Sequence, residues 1–265
     1  MSRIHPTAVV DKSAAIDSSV EIGPFAVIGP GVSIGAGTLI GPHVVMEHVQ
    51  LGKDNRVLAS ASLGLPPQDL KYRGEPTRLV MGDRNTVREF VTLNRGTAAH
   101  GETRIGSDCL FMAYSHVAHD CVVGNGVIFA NSVALAGHVT VGDFTVVGGL
   151  AAVQQHLKIG SYCMLGGGSM LNKDVPPYCL CQGYPASLRG LNTVGLKRAG
   201  VSPEARTALK RAYKTIFLSG LGLQEALRSL RSSPMPPEVE TLASFLENSR
   251  APMRATPALD SDSGE

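Results

Sequence analysis

From Ile4 onward an aliphatic residue returns at every sixth position: Ile4, Val10, Ile16, Ile22, Ile28, Ile34, Ile40 and Met46. After one five-residue step the series resumes at Leu51, Val57 and Leu63, breaks across 65–80, and returns at Met81, Val87 and Leu93. It breaks again across 97–104 and then runs without error from Ile105 to Leu171. These 26 hexads exclude an amphipathic helix, which needs apolar spacings of three and four, and an open alternating sheet, which needs a spacing of two. A six-residue period sustained this long fits strand-plus-corner units wound into a parallel β-helix. Three hexads close one triangular coil, so the series amounts to eight to nine coils, stacked roughly 4.8 Å apart. The first residue of each hexad points into the prism, with the small fifth residue beside it. Gly is frequent at the second position, where it is expected to supply the tight backbone geometry of a corner. The two breaks read as loops ejected from the coil wall, where functional residues concentrate.

A core this narrow has no room for Trp, and the 265-residue chain has none, with only 13 Tyr and Phe. Apolar residues make up 43%, which excludes a disordered chain. No apolar run approaches the roughly 20 residues of a membrane span, and the opening MSRIHPTAVV does not read as a signal peptide. Near Pro176-Pro177 the grammar changes. Ser202-Pro203-Glu204 is a helix start with Ser as N-cap, followed by Ala205, Leu209, Ala212, Ile216 and Phe217 at helical spacing. Two further short helices are read at 223–230 and 238–247. The expected organisation is a β-helix over 1–188, an α-helical domain over 189–250 and a flexible tail over 251–265.

The net charge of +2 argues against a nucleic-acid binder. Its distribution is uneven: residues 1–188 carry 13 bases and 14 acids, 189–254 carry 11 and 5, and 255–265 carry three acids alone. A basic helical segment attracts an acidic partner. The five Cys form no CxxC pair and no zinc spacing, which reads as reduced thiols of a cytoplasmic protein.

The phase of each His in the repeat separates candidates from ordinary surface residues. His119 lies at the third position of its hexad, and His138, one position beyond three full hexads, sits about one coil above it. His156 follows His138 by three full hexads and should stack on the same wall. The adjacent pair His119-Asp120 is the best candidate for a general base and the acid that orients it, since a neutral imidazole can take a proton from a sugar hydroxyl near neutral pH. His5, His43, His48 and His100 are assigned to ordinary surface positions. His116, His119 and His138 offer donors for a metal, but nothing in their spacing demands one, and no metal or cofactor is expected.

Beyond the hexads, QDLKYRGEPTR (68–78), GDRNTVRE (82–89), SHVAHDCVVGN (115–125), LAGHV (135–139), DVPPY (174–178) and GLKRAG (195–200) occur in that order. In this the chain resembles, over about residues 4–250, the family of acyl-carrier-protein–UDP-N-acetylglucosamine O-acyltransferases that opens lipid A biosynthesis. The resemblance implies a left-handed parallel β-helix, mainly β, with a C-terminal α-helical domain and a homotrimeric assembly with sites in clefts between subunits. It implies transfer of a 3-hydroxyacyl group from acyl carrier protein to the 3-position of the glucosamine of UDP-N-acetylglucosamine. The alternative is a related enzyme acting on the 3-amino analogue or another nucleotide sugar. By the same resemblance His119 is the base and Asp120 the acid beside it, and Gly137 offers a backbone N–H to the oxyanion. His116 and His138 line the cleft, Asp69 and Lys71 contact the sugar, and Gln155, Asn192 and Arg198 contact the nucleotide. Gly167 falls where side-chain size sets acyl length. The chain departs from the family pattern at Asn94, Gln154, Val194 and Ala199, positions that bear on the sugar and nucleotide rather than on the reaction type.

Overall fold

A computed structural model of the chain describes residues 3–254. Each of the 26 repeat residues from Ile4 to Leu171 lies in its own short parallel strand, and successive strands go to three different sheets in rotation. The walls of the resulting prism hold eleven, nine and eight strands. The first wall is the one containing Arg3–Ile4, the second contains Val9–Val10 and the third Ala15–Ile16. Registers confirm the coil arithmetic: His116 pairs with Ala134, which pairs with Ala152, each step spanning three hexads. Within the prism the first and fifth positions are buried together. Phe111 and Phe129 are fully buried and meet edge-on at 5.3 Å between ring centres.

The role expected for the second-position Gly is corrected by the backbone. The left-handed conformation falls at the fourth position, mostly on residues with side chains, such as Phe25, Phe90, Asp120, His138 and Phe144 with φ between 56° and 63°. Bulky residues adopt this conformation at a cost, and here stacking between coils offsets it. Phe90 lies 5.2 Å from Tyr114, and Phe144 lies 5.0 Å from Tyr162, centre to centre and near parallel. The second-position Gly is required by close approach instead. A Cβ on Gly106 would stand 2.7 Å from the Gly124 carbonyl oxygen of the next coil, closer than van der Waals contact allows.

All three irregularities of the repeat fall at one corner, between the second and third walls. The five-residue step joins Val45–Met46 to Val49–Leu51, and the ejected segments are 66–77 and 95–101, slightly tighter than the breaks in the periodicity. They occupy three successive coils directly below the corner that carries His119.

After the last coil an antiparallel pair, Cys179–Gly183 and Ala186–Leu191, extends the first wall before the helices begin. α1 (Thr193–Arg198), a short helix the sequence reading did not assign, precedes α2 (Pro203–Phe217), α3 (Leu223–Arg231) and α4 (Pro237–Asn248). Ser202 caps α2 by accepting a hydrogen bond from the Ala205 N–H at 3.1 Å. The helices share a core of Leu196, Leu209, Leu227, Leu242 and Leu246 that packs on Tyr178 at the corner between the third and first walls. Residues 251–254, expected to fray, are pinned instead. Met253 is buried and its N–H donates to the Asp174 carbonyl at 2.8 Å. The rest of the expected flexible tail lies outside the described residues.

Candidate active site

The strand His116–Val117 delivers residues 118–121 to the corner between the second and third walls. There the repeat holds Asp120 in the left-handed conformation, and its N–H donates to Thr103 Oγ1 at 2.9 Å. The Asp120 side chain is buried. Its Oδ2 lies 2.8 Å from His119 Nδ1 and accepts from Thr97 Oγ1 at 2.7 Å, while Oδ1 accepts from the Thr97 N–H at 2.9 Å. Burial alone would raise the carboxyl's pKa, but the hydrogen bonds from Thr97 and His119 outweigh it and hold Asp120 below the usual carboxylate range. The anion in turn places the His119 proton on Nδ1, which leaves Nε2 as a lone-pair acceptor.

Gly137, one coil above, lies against that imidazole. A Cβ at 137 would come within 2.6 Å of His119 Cε1 and 2.8 Å of Nε2. Its N–H makes no hydrogen bond among the described residues. The same third position is occupied by Pro in other hexads, as at Pro24, Pro30 and Pro42, because the coil ladder does not use that N–H. A free donor therefore stands beside a free base.

His138 meets the His119 ring edge-on at 5.1 Å and stacks on His156 at 4.5 Å, confirming the column read from the three-hexad step. Its Nε2 is 3.7 Å from Asp120 Oδ2, too long for a hydrogen bond, and burial holds its pKa below the ordinary value, as it does for His116. His116 Nδ1 is 2.7 Å from the Thr92 hydroxyl. Gln155 is exposed at the same corner one coil above Gly137.

Asp69 and Lys71 lie on the loop 66–77, where Asp69 Oδ1 accepts the Lys71 N–H at 2.9 Å. That loop is fixed by a residue the sequence reading overlooked. Arg95, nearly buried, donates to the Gly64 carbonyl at 2.9 Å and to Tyr72 Oη at 3.1 Å, and reaches Glu47 at 3.4 Å. Asn94 donates to the Pro66 carbonyl at 3.2 Å and holds the loop's root. Thr97 and His100, on the second loop, were missed as well. His100 belongs to the cluster rather than to an ordinary surface position, with Nδ1 3.9 Å from Asp120 Oδ1 and its ring centre 5.4 Å from that of His138. The available signal was topological: the loop leaves the corner one coil below Asp120.

The remaining candidates lie elsewhere in the chain. Gly167 is at the corner between the first and second walls, beside the Gly149 carbonyl. Asn192 caps α1, accepting from the Gly195 N–H at 3.0 Å and donating to the Tyr162 carbonyl at 2.9 Å. Arg198, with Thr193, Val194, Lys197 and Arg206, lines an open basic cavity of about 640 Å³. Within one chain these groups are separated from His119 by a wall of the prism, which is about 20 Å for six extended residues.

Comparison with known proteins agrees with this architecture. The family described as Udp N-acetylglucosamine O-acyltransferase, domain 2, matches residues 174–254. The bacterial transferase hexapeptide family (six repeats) matches 13–48 and 102–137. The acyl-carrier-protein–UDP-N-acetylglucosamine O-acyltransferase of Halorhodospira halophila is 50% identical over 253 residues, covering 94% of this chain and 98% of that protein. Among solved structures, LpxA from Acinetobacter baumannii superposes with a TM-score of 0.91 at 45% identity, covering 96% of this chain and 99% of that one. The UDP-N-acetylglucosamine O-acyltransferase of Moraxella catarrhalis gives 0.91 at 42%, covering 95% and 99%.

Proposed function

The chain belongs to the family of acyl-carrier-protein–UDP-N-acetylglucosamine O-acyltransferases, hexapeptide-repeat enzymes built on a left-handed β-prism, and on that premise we propose that His119 carries its reaction as a general base. The substrates are an acyl carrier protein bearing a 3-hydroxyacyl thioester and UDP-N-acetylglucosamine. The observation that carries the mechanism is His119 Nε2, without a hydrogen-bond partner among the described residues, oriented by Asp120 through Nδ1 at 2.8 Å and placed against Gly137.

His119 Nε2 takes the proton of the sugar 3-hydroxyl as its oxygen attacks the thioester carbonyl. Negative charge then develops on the carbonyl oxygen, and the unengaged Gly137 N–H is a donor for it. Collapse expels the carrier's thiolate, which recovers the proton from His119, so no acyl-enzyme forms. The five thiols are buried and inert, which fits a mechanism without a nucleophilic Cys and a reducing, cytoplasmic setting. Among the described residues no helix is long and apolar enough to cross a membrane.

Asp69 and Lys71 contact the sugar, with His116 and His138 lining the cleft. Gln155, Asn192 and Arg198 contact the nucleotide, Arg198 through charge on the diphosphate. After its two intrachain hydrogen bonds the Asn192 amide still has one lone pair and one N–H to offer. Gly167 leaves open the groove that fixes acyl length. These groups lie on different corners of one prism, so a single cleft gathers them only when copies pack side by side. That supports a homotrimer with sites between subunits, and the basic helical segment suits an acidic carrier protein.

The test offers UDP-N-acetylglucosamine and its 3-amino analogue with carrier proteins bearing 3-hydroxyacyl chains of several lengths. Ester formation on the 3-hydroxyl sugar is expected. Amide formation on the analogue alone would reassign the acceptor, and no transfer from any donor would sink the reading.

A further inference from the structure

We propose that His100, Asp120 and His138 form a binding site for a divalent transition-metal ion of the zinc class, and that its occupancy slows acyl transfer. The second half rests on the reading of His119-Asp120 as base and orienting acid. One donor atom from each residue lies within 4.8 Å of the others. The measured approaches, 3.9 Å from His100 Nδ1 to Asp120 Oδ1 and 3.7 Å from His138 Nε2 to Asp120 Oδ2, are too long for hydrogen bonds. They are close to the roughly 3.4 Å edge of a tetrahedron whose bonds to zinc are about 2.1 Å. The His100 approach is to Oδ1 and the His138 approach to Oδ2, so the carboxylate lies between the two imidazoles, none of the three groups bonds another, and one donor atom from each is within 4.8 Å of the rest.

The lone pairs agree. Asp120 Oδ2 is saturated by Thr97 Oγ1 and His119 Nδ1, but Oδ1 accepts only the Thr97 N–H and keeps a second lone pair. His138 Nδ1 is buried without a hydrogen-bond partner, and ligation through Nε2 leaves the ring proton on that nitrogen. The His100 side chain, 58% exposed on the loop 95–101, gives an ion a path from solvent, and water fills the fourth position. No thiol competes, because all five Cys are buried. An ion held by Asp120 competes for the carboxylate that orients His119 through Nδ1 at 2.8 Å, and an imidazole moved off that contact is misplaced for proton transfer.

The test uses the metal-free full chain, titrated with zinc by calorimetry and with cobalt by visible absorption. One ion per chain is expected. His100→Ala should weaken binding by at least about tenfold, and the zinc concentration for half-inhibition, each rate taken relative to the same protein's metal-free rate, should shift in parallel. Equal affinity in His100→Ala and the parent, or no binding at all, would overturn the site. His100-dependent binding without any loss of rate would leave the site standing but overturn the switching claim, while the base assignment itself fails only if His119→Ala transfers at the parental rate.

Discussion

Two corners of the prism are made from the same hexad and behave oppositely. Between the third and first walls, four successive third-position N–H groups are taken by the side chain one coil above. The Lys53 N–H goes to Asp83, that of Asp83 to Ser107, that of Ser107 to Asn125 and that of Asn125 to Asp143, at 2.7–2.9 Å. Beneath this run a second, buried ladder links Asn55, Asn85 and the Cys109 N–H. Between the second and third walls, the N–H groups of His119, Gly137 and Gln155 have no partner among the described residues, and three successive coils below depart from the repeat. A repeat that satisfies its own backbone groups is structural. Where it leaves a donor, a base and two loops at one edge, it can act on a substrate.

The contrast is open to test. Gly137→Ala at the open corner should lower kcat on the order of 10²-fold, because the new methyl displaces the His119 ring and a shift of about 1 Å in a catalytic group has that cost. Its melting temperature should stay near that of the parent; equal activity would show that the close approach is incidental. Arg95→Ala should act through position rather than chemistry. Releasing the loop that carries Asp69 and Lys71 should raise KM for the sugar nucleotide about tenfold, near the 1–3 kcal/mol of an unmade buried hydrogen bond, with little change in kcat and partial rescue by Arg95→Lys. A fall confined to kcat would contradict the clamp. At the closed corner Asn85→Ala should cost about 1–3 kcal/mol in denaturant unfolding by stranding the Cys109 N–H and removing the side-chain donor to the Gly106 carbonyl, with activity per folded molecule retained.

A smaller effect follows from pH. His116 and His138 bind protons less readily folded than unfolded because burial penalises their charged forms. Above about pH 6.5 both states are neutral and stability is complete. As pH falls through that value the unfolded chain protonates first, so stability should decline toward pH 5. Replacing His116 by Gln should flatten that decline. Asp120, held below its ordinary range, works in the same direction at lower pH: its contribution is present above about 3.9 and lost as pH falls through the folded value.

The repeat, its three-sided closure and the stacking of His138 on His156 were legible because a fixed period converts sequence distance into coil height. Thr97, His100 and Arg95 were not, because a loop outside the period carries no phase. Only the pairing of Leu93 with Val117 shows that the 95–101 loop emerges under Asp120. The second-position Gly was misread for a related reason. Its constraint comes from the next coil, three hexads away along the chain, while local chemistry pointed to a turn. Asp120 itself is placed by a fourth-position left-handed backbone that its residue type tolerates, and sequence adjacency to His119 did not establish the 2.8 Å contact.

The central claim is that the open corner works through His119. The decisive measurement is the single-turnover rate of acyl transfer by His119→Ala, with folding checked by thermal melting. A loss of about 10²–10⁴-fold, the range for a removed general base, with an unchanged melt is the expected result. A folded variant that transfers at near the parental rate would contradict it.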